Sequence, residues 1–291
     1  MATAQLRRRV SLRRAHPGYP RSIKPLLVHG LLIFGAIWMF LPFAWMLAAS
    51  VEPEDEIFSY PPTFIPSQII PQHWLAAWTL VPFPRFFFNS ATMTFCITVG
   101  QFLTATIAAY AFARLRFPGR DRLFLCFLAT LMVPGQVLLI PQFMIIRALN
   151  WLNTYQALIV PGLASAFSVF LLRQFFLTLP SELEDAARID GASTVRILWQ
   201  IIIPLSRPAI ITMCVFTAMG AWNAFLWPLI VTTGTDMFTV QLGLQNFRGA
   251  YATQWSYMMA ATCFVTLPIL AIFFVGQKYF IEGVALSGLK G

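Results

Sequence analysis

The residues best suited to chemistry lie together in one polar stretch, 180–192, between two long apolar segments. Ser181 followed by Glu184 has the spacing of a capping box, which predicts that a helix begins there. Gly191 after the last turn is typical of a left-handed helix end and predicts where this helix stops. A short capped helix with small side chains is suited to a groove in another protein. We therefore expect a partner protein to dock on this stretch.

The chain lacks the common sequence patterns of nucleotide, metal and hydrolase sites. It contains no Gly-x-x-x-x-Gly-Lys-Ser/Thr, His-Glu-x-x-His or Gly-x-Ser-x-Gly sequence. His16, His29 and His73 are far apart, and the 4 cysteines fall singly in apolar segments, so we predict no metal site. We therefore expect the chain not to be an enzyme.

Composition and charge spacing are typical of a membrane protein. Hydrophobic residues make up 58% of the chain and charged residues 11%, whereas soluble domains carry about 25% charged residues. Six charge-free windows each exceed the roughly 20 residues that a helix needs to cross a bilayer. We predict an all-α membrane protein with a basic tail at 1–24, a polar loop at 180–207 and six transmembrane helices. The predicted spans lie near 25–51, 86–113, 123–146, 148–172, 208–235 and 249–277.

Details within and between the windows add three expectations. Pro134 and Pro141 predict a kink or break in the third span. The windows hold no Asp, Glu, Lys or Arg that would serve an ion-driven carrier, so energy must come from another protein. The proline-rich loop 52–85 forms either an ordered lid over helix ends or a surface for an external partner.

Lysine and arginine are distributed unequally across the predicted spans. Of the 20, all but Arg85, Arg147 and Arg248 fall on the side that holds both termini and the polar loop. By the positive-inside rule that side is cytoplasmic. This bias and contact with anionic lipid explain the net charge of +9, and we expect no nucleic acid partner.

Several motifs, in order, resemble those of ABC-importer permeases, most closely the carbohydrate-uptake branch that contains the smaller maltose-type permease. The segment 184–192, followed by Ile-Pro-Leu-Ser at 203–206, looks like the EAA loop of these permeases. The family has Glu immediately before the paired alanines, whereas this chain has Asp185 with Glu184 just ahead. The sequence leaves open how docking divides between these two carboxylates. Further matching segments are 109–114, 170–176, 221–223, 277–280 and 289–291.

The resemblance implies a type I ABC importer permease fold with a cytoplasmic coupling helix. It implies a bacterial or archaeal inner-membrane subunit that works with a second permease subunit, two ATPase subunits and an external solute-binding protein. ATP and Mg²⁺ would be held by the ATPase subunits, and this chain would bind no cofactor. The residues implied to couple to the ATPase are Glu184, Asp185, Ala186, Ala187, Asp190, Gly191 and Ala192.

The uncharged windows favour a neutral polar solute, and with the resemblance we expect a sugar. Amides and hydroxyls bond to sugar hydroxyls, and aromatic faces stack on sugar rings. Four of the polar candidates recur at three- and four-residue steps along the second span, although such residues often bond to their own or a neighbouring helix instead. The candidate path residues are Asn89, Ser90, Thr94, Thr98, Gln101, Trp222, Asn223 and Trp227.

Other functions explain the sequence less completely. A permease for glycerol phosphate or a polyamine is the alternative within transport, with charged groups supplied by the partner subunit. A membrane-embedded enzyme would need a catalytic constellation near the end of a span, and none is visible. A structural or receptor-like membrane protein would leave the polar helix unexplained.

Overall fold

The computed structural model describes residues 23–60, 65–248 and 253–288, which divide between two units, Met1–Trp45 and Met46–Gly291. Most of the predicted basic tail and the final 289–291 segment lie outside the described residues. The described part is all-α apart from an isolated bridge between Arg248 and Thr253. Its helices are α1 (Ile23–Ala49), α2 (Gln72–Thr79), α3 (Phe83–Arg114), α4 (Arg120–Ala129), α5 (Leu139–Ala148), α6 (Tyr155–Ile159), α7 (Ala166–Phe176), α8 (Glu182–Ile189), α9 (Thr194–Ile197), α10 (Ile203–Leu205), α11 (Arg207–Trp222), α12 (Leu226–Val231), α13 (Val240–Gly243) and α14 (Trp255–Gly288).

The long helices match six spans only when bent pairs are included. Among the described residues, four helical segments are long and apolar enough to cross a membrane, Leu26–Ala49, Phe83–Arg114, Tyr155–Phe176 and Trp255–Lys278. Two more candidates are helix pairs, Arg120–Met132 with Gly135–Ala148 and Thr194–Leu205 with Arg207–Trp222, bent by 92° and 82°. The prediction of six spans therefore corresponds to four helical segments and two bent pairs among the described residues.

Prolines and asparagines explain where helices break. The expected break in the third span is confirmed, because the chain bends at Pro134, which is extended with ψ of 128°. The fourth span becomes helical only at Tyr155, seven residues after its window opens. Asn150 and Asn153 delay it, since both take left-handed φ values, 56° and 57°, that turn the chain.

The fifth span also differs from its window. Its helix α11 ends at Trp222, where the backbone and side-chain N–H groups of Asn223 both donate to the Met219 carbonyl. The rest of the window forms the separate short helix α12. The charge-free window was therefore too long at this end, because hydropathy does not register a helix stop made by a neutral amide.

The continuous helix α3 passes through all three buried clusters of the second unit. Phe83 and Phe86 pack with α2, α13 and α14 in the first cluster. Met93 and Ile97 pack with α6, α11 and α12 in the second. The C-terminal half of α3, from Ala105, packs with α7, α11 and the π-helix Leu198–Ile202 in the third. Apart from Pro84 in its first turn, α3 contains no proline, so it spans the unit as one rod.

The segment after α1 is anchored to the start of α14. The Glu54 carboxylate accepts hydrogen bonds from the backbone N–H of Trp255 at 2.6 Å and of Ser256 at 2.9 Å, and from the Ser256 hydroxyl at 2.6 Å. A carboxylate in this position satisfies free N–H groups at a helix start and complements the helix dipole. Trp74 and Trp78 of α2 also pack against Phe264 of α14. The described parts of segment 52–85, residues 52–60 and 65–85, therefore pack on helix ends, as a lid would.

Glu52, in the same segment, is a buried carboxylate with little compensation. Its side chain has no exposed surface, and neither oxygen receives a hydrogen bond from the part of the chain that the structure describes. Burial, with the nearby Glu56 charge as a second cause, raises its pKa above the ordinary 4.5. An acid whose pKa is higher in the folded state than in the unfolded state contributes to stability at low pH. This contribution is complete below the pKa of the unfolded state and is lost as pH rises through the pKa of the folded state.

We expect Glu52→Gln to raise the free energy of unfolding at pH 7 to 8. The gain should shrink as pH falls. It should disappear below the ordinary pKa of 4.5, where the Glu52 carboxyl is neutral in the folded and in the unfolded state. Thermal unfolding in detergent across this pH range measures the effect. Glu54→Gln is the control and should lower stability at neutral pH, since its carboxylate caps α14. An equal benefit of Glu52→Gln at every pH would contradict the explanation.

Candidate functional site

The polar stretch forms the short helix α8, and its C-terminal end matches the prediction. Gly191 takes a left-handed φ of 79°. The N–H of Ala192 donates to the Ala187 carbonyl at 2.9 Å, and the N–H of Gly191 donates to Arg188 at 3.0 Å. These two bonds make a Schellman end, which satisfies carbonyls that the helix itself leaves open. The predicted helix stop at Gly191 is therefore confirmed.

The predicted capping box at the start of α8 is wrong. Ser181 has helical dihedrals, φ −69° and ψ −26°, and its side chain makes no capping hydrogen bond. Glu184 does not reach back to Ser181 either, because its side chain turns into the protein and is 3% exposed. The spacing of a capping box was present, but stronger partners from another helix bind this carboxylate.

Those partners are Arg114 and Tyr110, both in the last turns of α3. The Tyr110 hydroxyl donates to Glu184 Oε2 at 3.0 Å. Arg114 Nε lies 3.1 Å from Glu184 Oε1 in an ion pair that is not aligned as a hydrogen bond. On the solvent side, Arg188 approaches within 3.6 Å. Removing one partner of such a buried pair costs about 3–5 kcal/mol, so the pair determines which face of α8 points inward.

The other predicted coupling residues divide between the two faces of α8. Ala187 and Ala192 pack against the third buried cluster, on the same side as Glu184. The opposite surface exposes Asp185, Ala186, Asp190 and Gly191. Ile189 lies among them and is 87% exposed, an unusual position for an apolar side chain next to polar neighbours. This outer surface combines carboxylates with an apolar side chain and is available for a protein partner.

A second feature is a cavity of about 410 Å³ between α3, α5, α7 and α11. It is lined by polar but uncharged groups together with apolar side chains, and no ionisable residue lines it. The polar groups among its lining are Gln101, Gln142, Ser165, Ser168, Thr217 and the Trp227 indole. Neutral donors and acceptors beside an aromatic ring suit a polyhydroxylated solute.

Gln101 is the polar centre of this cavity wall. Its side-chain N–H donates to the Gly162 carbonyl at 2.8 Å. Its oxygen accepts from the hydroxyls of Ser168 at 2.8 Å and Thr217 at 2.9 Å. One amide therefore joins α3 to the chain before α7, to α7 and to α11. Of the predicted path residues, Gln101 and Trp227 line the cavity, Gln101 mainly as a structural crosslink.

The other six predicted path residues lie outside this cavity, and the side chains of all but Thr94 bond within the protein. Asn89 donates to the carbonyls of Asp236 and Phe238 and accepts from the Tyr155 hydroxyl. Ser90 accepts from the Val240 N–H. The remaining four are Thr94, which is buried, Thr98, which bonds to its own helix, Trp222, which donates to Val265, and Asn223, which ends α11.

Sequence reasoning missed Gln142, Ser165, Ser168 and Thr217 among the polar cavity residues. Gln142 follows Pro141 in the bent third span, and Thr217 lies in the middle of α11. A polar residue in the span that Pro134 breaks is the signal that was available, because broken helices border cavities. Within the described ranges, no three His, Cys, Asp or Glu side chains lie close enough to hold a metal ion.

Residues 101–285 match the family described as binding-protein-dependent transport system inner membrane component. The sn-glycerol-3-phosphate transport system permease protein UgpE of Yersinia enterocolitica is 36% identical over 271 residues, which are 90% of this chain and 96% of that protein. The chain belongs to this family. It is therefore an ABC importer permease, a transport subunit and not an enzyme.

Two solved structures show the same fold. A bacterial ABC transporter for import of the acidic polysaccharide alginate matches this permease with a TM-score of 0.79 at 23% identity, over 91% of this chain and 99% of that one. A bacterial alginate transporter in complex with a periplasmic protein bound to an alginate pentasaccharide matches with a TM-score of 0.63 at 15% identity, over 87% and 94%. At these identities the likeness supports the type I importer permease fold alone.

We expect Gln101→Leu to destabilise this permease by about 1–3 kcal/mol, because two hydroxyls and the Gly162 carbonyl lose their partner. Gln142→Leu is the matched control. Gln142 lines the same cavity without contributing to this crosslink, so its replacement should change stability by less than about 0.5 kcal/mol. Thermal unfolding of both variants in detergent compares them, and equal losses would show that Gln101 is not a special crosslink.

Proposed function

We propose that this permease forms half of the translocation pathway for a neutral sugar and that α8 is its coupling helix to an ATPase subunit. The division of α8 into two faces carries the proposal. Its inner face is bonded to α3 through Glu184, and its outer face exposes Asp185, Asp190 and Ile189. A helix that is bonded to its own subunit on one face and exposed on the other is suited to transmit a displacement from a docked partner.

The partners follow from this role. A second permease subunit would complete the pathway, and two ATPase subunits would bind ATP and Mg²⁺ and move α8 when they close. An external solute-binding protein would deliver the sugar. The arginine-rich side, which includes α8, would face the cytoplasm together with both termini.

The cavity supports an uncharged solute. Gln142, Ser165 and Thr217 offer amide and hydroxyl groups, and Trp227 offers a ring face. The Trp227 N–H is already bonded to the Ala157 carbonyl at 2.8 Å, which fixes the ring. A fixed aromatic surface with neutral hydrogen-bonding groups is the usual arrangement around a sugar ring.

The double variant Asp190→Ala, Gly191→Pro should lose its ATPase subunits during purification of the tagged permease. Proline cannot adopt the φ of 79° at Gly191, so the end of α8 and its exposed surface would be displaced. Ser181→Ala is the control and should retain the ATPase, since its side chain makes no capping bond. Full recovery of the ATPase with the double variant, while its thermal unfolding midpoint is unchanged, would place the docking surface elsewhere.

A glycerol phosphate is the second candidate solute, because the relative UgpE, 36% identical over 90% of this chain, has sn-glycerol-3-phosphate as its named solute. The cavity of this chain offers no cation for a phosphate, so the second permease subunit would have to supply one.

Uptake of radiolabelled maltose and of radiolabelled sn-glycerol 3-phosphate by the reconstituted transporter separates the two candidates. We expect uptake of the neutral sugar, reduced about fivefold or more by Gln142→Leu, since loss of hydrogen bonds to a solute commonly costs about 1–3 kcal/mol. Uptake of the phosphate ester alone would favour the second candidate. Uptake of either solute that Gln142→Leu leaves unchanged would remove this cavity from the path.

A further inference from the structure

We propose that Glu184 is not a docking residue but the internal link through which α8 moves α3, with Arg114 as the junction. The proposal rests on the coupling role of α8 and assigns different tasks to the two neighbouring carboxylates. Asp185 would contact the ATPase, and Glu184 would pass the motion inward. The resemblance to importer permeases left this division open.

The exposure of the two carboxylates separates their tasks. The Glu184 side chain is 4% exposed, whereas the Asp185 side chain is 66% exposed. A partner that docks on the outer surface of α8 reaches Asp185 directly but cannot reach Glu184 without moving Arg188, whose side chain is 48% exposed. Glu184 is therefore positioned to hold α8 to its own subunit.

Arg114 joins three elements at one guanidinium. Its Nε faces Glu184 of α8, and its Nη2 donates to the carbonyls of Phe176 at 2.6 Å and Leu179 at 2.5 Å, where α7 ends. Pro180 follows and has no N–H to give to the Phe176 carbonyl in the next helical turn. The Phe176 carbonyl also accepts the Leu179 N–H at 3.3 Å, so the arginine adds a second donor there and binds the Leu179 carbonyl at the same helix end. Displacement of α8 would pull on α3 and α7 together.

The rod α3 extends this link to the cavity. Gln101 lies 13 residues before Arg114, about 20 Å along an α-helix. No proline interrupts the helix between them, and one side of the intervening stretch packs in the third buried cluster. Gln101 then bonds to the chain before α7 and to α7 and α11, which form the cavity wall. A continuous path of bonded groups therefore runs from the coupling helix to the cavity.

The test compares Glu184→Gln with Asp185→Asn, two substitutions that each remove one charge from adjacent residues. Each is made in a permease whose 4 native cysteines are replaced and whose Gln142→Cys change places one thiol in the cavity. The complex with its ATPase subunits is labelled with a maleimide before and after trapping with ATP and vanadate. This measurement needs no knowledge of the solute.

With native Glu184 and Asp185, we expect trapping to change the labelling rate of the cavity thiol. Glu184→Gln should keep the ATPase subunits bound but reduce the response at least about fivefold, the lower range of coupling between distant sites. Asp185→Asn should instead reduce the amount of ATPase that is recovered with the permease. In the complex that remains, trapping should still change the labelling rate of the cavity thiol. Tyr110→Phe removes only one hydrogen bond to Glu184 and should give an intermediate response, which keeps the test informative if Glu184→Gln unfolds.

Two results would overturn the inference. Loss of the ATPase from a folded Glu184→Gln permease would make Glu184 a docking residue, and an undiminished response with both Glu184→Gln and Tyr110→Phe would show that the link transmits nothing. Failure of the proposed function would give a different result. Trapping would then leave the labelling rate of the cavity thiol unchanged even with native Glu184 and Asp185.

Discussion

The continuity of α3 is the constraint on which the rest of the second unit depends. Residues Phe83–Arg114 form one helix that contributes to all three buried clusters, while most of its neighbours are broken or bent. Bent helices cannot carry a displacement far, because each break absorbs it. A single rod bonded at both ends can do so. The arrangement therefore separates a stiff element from a set of shorter segments that pack around it.

Breaks in the surrounding helices explain what many polar side chains do. In an apolar environment a carbonyl that loses its helical partner must find another donor. Ala157 loses its partner because Pro161 has no N–H, and the Trp227 indole donates to it instead. Gln101 donates to Gly162 in the same break. Polar residues in the spans serve first to close these breaks, and those that line the cavity do so from positions already fixed.

Local signals in the sequence were sufficient for some features and insufficient for others. Charge-free windows indicated the number of candidate spans, Pro134 located a bend and Gly191 located a helix stop, because each of these depends on the residue itself or its neighbours. The inward turn of Glu184 depends on Arg114, 70 residues earlier in the chain, and a capping pattern cannot reveal such a partner. The polar stripe along α3 was misleading about the cavity for the same reason, since its partners come from distant segments.

The cap that Glu54 provides has a consequence for the order in which the protein is made. The carboxylate and the N–H groups that it accepts from are separated by 201 and 202 residues, so the contact forms only after the ribosome has produced the final helix. Until then Glu54 has no helix start to bind, and the Glu52 backbone carbonyl lacks the hydrogen bond that it accepts from the Ser256 hydroxyl. A nascent chain that stops before Trp255 would leave the Glu54 carboxylate without these partners. Completion of the last helix thus changes the hydrogen bonding of a segment near the beginning of the chain.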